Sequence, residues 1–218
     1  MKKHNIFLLV FLIAGNMVFA EESLESKIQT VKSRVINILD ASEIPSDITS
    51  SENLEFEHRI REYTIKIYRH QESLRYSVLQ VFMNQDLIFS DYSYHFQVAQ
   101  DDSFKITTAS SNEHNSSFFL GKDITGDGDP NLVVYVWTGG AHGAYGVYVF
   151  SFGENFSVLS PGKGDIGWGG FEDLDNDGVF EFIAIDKNFE YWNAGYANSP
   201  FTEVVLEYKD GEYIFSQR

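Results

Sequence analysis

Cysteine is absent from this 218-residue chain. No disulfide can staple it, and no thiolate is available as a nucleophile. Positive charge is scarce, with 16 Lys+Arg against 32 Asp+Glu. Such a surface repels nucleic acid phosphates and anionic lipid heads, so nucleic acid is excluded as the natural partner, and cations or basic proteins suit it better. Acidity also serves plain solubility. No Gly-x-Ser-x-Gly elbow is present. The six histidines, His4, His58, His70, His95, His114 and His142, show no zinc-like spacing. Long apolar runs are missing beyond the N-terminus, so no later stretch is expected to insert in a membrane.

The N-terminal MKKHNIFLLVFLIAGNMVFA joins a positive start, Lys2 and Lys3, to an apolar run from Ile6 to Ala14 and a Val18-Phe19-Ala20 cleavage signature. The apolar core is shorter than the roughly 20 residues a spanning helix needs. It reads as a signal peptide over 1–20, which implies a secreted or periplasmic protein. Without Lys2 and Lys3, 14 basic residues face 32 acidic ones, a formal −18.

Over 21–55 the pattern predicts one amphipathic helix and a linker. Leu24, Ile28, Val31, Val35 and Ile38 recur at helical spacing, and ASEIPSDITSSEN (41–53) is rich in Ser and Thr. From residue 56 the grammar is β. REYTIKIYRH (61–70) alternates, and short Val/Ile/Phe/Tyr runs recur to the C-terminus between Gly, Asn and Asp turns. Aromatic residues make up 16%, which points to an aromatic-rich β core. Three segments align without gaps: VLQVFMNQDLIFS (78–90), YVFSFGENFSVLS (148–160) and VVLEYKDGEYIFS (204–216). Each reads as a hairpin with a short polar turn.

Two acidic turns complete the repeat. DITGDGDPN (123–131) and DLDNDGVFE (173–181) put oxygen-bearing side chains at alternate positions, with glycine where the backbone must turn sharply. Loop one offers Asp123, Thr125, Asp127, the Asp129 carbonyl and Asn131. Loop two offers Asp173, Asp175, Asp177, the Val179 carbonyl and Glu181. Both resemble the opening of an EF-hand, but position 12 is Val134 or Ala184 in place of the bidentate Glu, and strands flank the loops. A ligand at position 9 closes the loop instead. Calcium fits this donor set better than magnesium, which keeps several waters.

With the apolar strand that follows each turn, the pattern resembles the calcium loops of the FG-GAP/VCBS repeat family, Asp-x-Asx-x-Asp-Gly-x-x-Asp. Loop two matches throughout, with Glu181 as the closing acid. Loop one departs at Thr125 and Asn131, so loop two is expected to bind more tightly. The resemblance covers 116–218 as two repeats and implies a β-propeller-like structure, structural calcium, and adhesion or ligand binding. Residues 56–115 form a β region that matches only through its hairpin. SSFFLGKD (116–123) is expected to enter the first loop as a strand, and GWGGFED (167–173) the second. Three such units cannot close a propeller, which needs four or more. The expected fold is therefore mainly β: a partial propeller, or a sandwich of four-stranded antiparallel units with calcium-binding turns, plus the N-terminal helix.

Two loops are candidate ligand sites. TGGAHGAYG (138–146) carries His142 among glycines; it serves either ligand approach or a hairpin connection. It resembles a Gly-Gly-Ala-His element of some exported bacterial domains, and a similar segment occurs in lysozyme-binding anti-sigma factors. NFEYWNAGYANSP (188–200) carries Tyr191, Trp192 and Tyr196, aromatics that either stack on a ligand or plug the side of a β core. The leading expectation is a calcium-binding module for an extracellular or envelope protein or glycan, with no catalytic residues. One alternative is an inhibitor of a basic extracellular enzyme such as lysozyme. Another is a hydrolase using paired carboxylates.

Overall fold

A computed structural model describes residues 48–70, 77–99, 105–107, 113–115, 120–139, 145–161, 166–191, 193, 195, 198–200 and 202–217. The expected signal peptide and N-terminal helix lie outside the described residues. Within them the chain is mainly β and holds three antiparallel four-stranded sheets. The first sheet runs β1 (Leu54–Ile60), β2 (Tyr63–Arg69), β3 (Ser77–Met83), β4 (Asp86–Ser93), paired in that order. The middle sheet contains β5 (His95–Val98), β8 (Asn131–Trp137), β9 (Tyr145–Ser151) and β10 (Ser157–Leu159), with β6 (Lys105–Thr107) and β7 (Glu113–Asn115) forming a separate small hairpin. The last sheet is β11 (Ile166–Glu172), β12 (Glu181–Asp186), β13 (Thr202–Lys209) and β14 (Glu212–Phe215). No sheet among the described residues closes into a barrel.

The three aligned hairpins fall on β3–β4, β9–β10 and β13–β14, the last two strands of each sheet. Their turns use left-handed residues suited to tight reversal: Asn84 at φ 57°, Asp210 at 51° and Gly211 at 88°. The entering strand of the middle sheet differs from expectation. β8 pairs with β5, and residues 120–123 are irregular. Hydrogen bonding explains why: the amide of Gly121 reaches only the Asn131 carbonyl, and the Asn131 amide returns to Lys122. That closes the loop without making a strand.

The middle sheet is buried on both faces. Alternation along NLVVYVW sends Leu132, Val134 and Val136 toward the first sheet, where they pack with Ile65, Leu79, Val81 and Phe89. Val133 and Tyr135 face the last sheet and meet Phe171, Phe182 and Leu206. A strand covered on both sides must read as a near-continuous apolar run, and this one does. At the first interface Tyr63 stacks on Phe156 at 5.5 Å, and its hydroxyl donates to the Gly153 carbonyl. Burial, foremost, pushes the Tyr63 phenol up to about 12.

Asp91 of β4 sits between the same two sheets, where the Tyr148 hydroxyl donates to it at 2.7 Å. Burial raises its carboxyl above the ordinary 3.8, and the bonds from Tyr148 and the Tyr92 amide only partly oppose that. The folded chain therefore holds a proton that the unfolded chain has already released. Stability falls as pH rises through the interval from 3.8 to the raised folded value. Asp91→Asn keeps an acceptor for Tyr148 and cannot titrate. Urea midpoints measured between pH 4 and 7 are expected to decline less steeply for the variant than for wild type. Parallel slopes would refute the assignment.

Candidate metal centre

Both acidic turns adopt one backbone shape. Position 4 is left-handed in each, Gly126 at φ 71° and Asn176 at 63°. Position 6 is too, Gly128 at 85° and Gly178 at 91°. Only residues that tolerate positive φ serve there, which is why glycine and asparagine alternate with the acids.

The internal bonds match as well. The first aspartate accepts from the position-6 glycine amide: Asp123 Oδ2 from Gly128 at 2.8 Å, and Asp173 Oδ2 from Gly178 at 3.0 Å. The position-5 aspartate accepts from the position-7 amide: Asp127 Oδ1 from Asp129 at 2.9 Å, and Asp177 Oδ1 from Val179 at 2.8 Å. The closing residue accepts from the position-2 amide: Asn131 Oδ1 from Ile124 at 2.8 Å, and Glu181 Oε2 from Leu174 at 2.9 Å. Asn131, Thr125 and Glu181 are buried, while the carboxylates at positions 1, 3 and 5 stand half-buried or exposed at the rim.

Loop two gathers charge. Asp173, Asp175 and Asp177 each bring a carboxylate oxygen within 4.8 Å of the others. Even in water, charges at that separation repel by roughly 0.9 kcal/mol per pair. A divalent ion would reverse the sign of that contribution. Loop one is weaker in charge. Thr125 and Asn131 are neutral, and their side-chain oxygens lie 3.3 Å apart. Its third carboxylate is already engaged: Asp129 pairs with Arg61 at 2.8 Å, and Arg61 also donates to the Phe152 carbonyl. Position 7 is thus left to offer a backbone carbonyl. Arg61 lies in the β1–β2 turn, the place in the first sheet that loop two occupies in the last. Gly153 makes room for this pair, because a Cβ there would run into the Asp129 carboxylate.

The two turns touch each other, which the sequence does not announce. The Phe180 amide donates to the Ile124 carbonyl at 2.9 Å. The Lys122 ammonium stands 3.9 Å from the centre of the Phe180 ring. A side chain at Gly126 would collide with Val179. Tyr208 of β13 lies beside loop one as well; its phenol is raised mainly by burial and then by Asp127 and Asp123. Both loops therefore sit at one edge, where the middle and last sheets meet. The one sequence clue was an apolar residue at position 2 of an acidic turn. Ile124 is fully buried there.

No protein-family model, curated protein or solved structure matches the chain.

Of the ligand-binding candidates, Tyr191 is described and exposed, at φ 60°, and its amide is held by the Ser199 hydroxyl. Phe189 beside it is exposed too. Neither plugs the core, because β11–β14 already bury Phe171, Phe182 and Leu206 against the middle sheet. His142, Trp192 and Tyr196 lie outside the described residues, as does the Trp168 side chain.

Proposed function

We propose that this is an exported β scaffold whose acidic turns hold calcium as a structural ion and which acts as a binding module for an envelope or extracellular protein or glycan. The convergence of three loop-two carboxylates within 4.8 Å carries the reading. The matching turn in loop one, packed against it, supports two ion sites at one sheet-to-sheet edge. Asp173, Asp175, Asp177, the Val179 carbonyl and Glu181 would hold the tighter ion. Asp123, Thr125, Asp127, the Asp129 carbonyl and Asn131 would hold the weaker one. Calcium there ties strands that repulsion would otherwise loosen, and it supplies no chemistry.

The layers suit a stacked sandwich better than blades around a channel. A single residue, Tyr94, carries the chain from β4 to β5, as where a strand turns a corner between packed sheets. No helix among the described residues is long and apolar enough to cross a membrane.

Calorimetric titration of the mature chain with calcium, after chelation, tests the ion reading. It is expected to show one tight and one weaker equivalent. A flat titration sinks it. Affinity capture from envelope extract in calcium separates the partner classes: elution by free sugar favours a glycan, and elution by salt favours a protein.

A further inference from the structure

The last sheet has two unlike faces. One is buried against the middle sheet, and the other is formed by the opposite side chains of the same strands. Register puts Ile185 opposite Glu203 and Glu207 opposite Ile214, with Val205 between the two glutamates on that face and Glu212 two residues before Ile214. An apolar centre of Ile185, Val205 and Ile214 is thus bordered by Glu203, Glu207 and Glu212. Ile214 is 39% exposed, and Ile185 and Val205 are half-buried. The four strands carry six carboxylates and one lysine.

The pattern of packing stops here. Ile124, at position 2 of loop one, is sealed by the last sheet, whereas Leu174, its counterpart in loop two, is 44% exposed. Every exposed large hydrophobic residue among those described falls between Leu174 and Phe215. Scattered apolar residues need no explanation, but a concentration on one terminal layer with a polar rim marks an interaction surface.

We infer that this outer face of the last sheet docks a basic protein, one presenting an apolar contact centre ringed by Lys or Arg. A second copy is the wrong occupant, because glutamate rims would face each other across the interface. The inference deepens the binding-module reading and rests on it.

The test is interferometry of the mature chain in calcium against lysozyme, ribonuclease and cytochrome c, three basic proteins, each also in succinylated form with its lysine charge reversed. At least one is expected to bind saturably. Succinylation should weaken that binding tenfold or more, and so should Ile214→Lys, an exposed substitution that leaves the core intact. Glu57→Gln on β1 of the first sheet should leave it unchanged. Absence of binding to all three, or binding indifferent to Ile214→Lys, overturns the proposal. So does sedimentation showing a dimer that Ile214→Lys dissociates. Sugar-eluted capture alongside a negative panel would overturn this face while leaving the binding module standing.

Discussion

Melting in excess calcium is expected to lie about 5–10 °C above melting in chelator. A site at 100 times its dissociation constant adds about 2.7 kcal/mol. For a chain of this length each kcal/mol moves the midpoint by roughly 2–4 °C. Extracellular calcium modules have dissociation constants of roughly 0.1–1 mM, so tens of millimolar calcium saturates them. With no cysteine to staple the fold, nothing covalent masks the effect. The loops should contribute unequally. Asp177→Ala removes one of the three convergent carboxylates, whereas Asp127→Ala acts on a loop whose Asp129 already pairs with Arg61. The first is expected to abolish most of the calcium shift, the second a minor part. Asp177 also accepts from the Val179 amide, so alanine costs turn stability without any ion. Asp177→Asn keeps that acceptor and should still blunt the shift. Equal midpoints in chelator and in calcium for wild type would dispose of the ion clamp.

Phe150→Ala is expected to cost about 3–5 kcal/mol, the range for deleting a fully buried aromatic ring. Phe150 is fully buried at the first interface. Its ring meets Phe89 edge-on at 5.1 Å and lies 6.2 Å from both Phe152 and Phe156. The backbone that carries it belongs to a sheet packed on both faces, so its neighbours have little freedom to collapse into the void. Set against a typical net stability of about 5–15 kcal/mol, the loss could leave the chain partly unfolded at 37 °C. Urea denaturation should show a much lower midpoint with an unchanged slope. Phe215→Ala makes the internal comparison. That ring is mostly exposed, and its loss should fall within about 0.5 kcal/mol. Similar costs at the two positions would mean the sheets do not stack as described.

Much of the local structure was legible in one dimension. Period-two alternation marked β2 and β13. An unbroken apolar run marked β8 as a strand covered on both faces. Asn84, Asp210 and Gly211 marked hairpin turns, because few residues tolerate positive φ. The acidic turns were readable for the same reason: alternate oxygens and a glycine at position 6 are constraints within nine residues. The strand before loop one was not legible. β5 lies more than thirty residues upstream of β8, and the apolar stretch nearer to loop one was the more obvious choice.

The sequence by itself determined the strands, their turns, the acidic charge and two loops able to wrap a cation, since each depends on residues close along the chain. Only the tertiary structure decided that those loops touch, that Arg61 takes Asp129 from 68 residues away, that Ile124 is sealed while Leu174 is not, and which face of the last sheet is left outward. The physical reason is that stacking order and side-chain reach between sheets come from summed packing across the whole molecule, and no local pattern encodes which layer becomes the middle one.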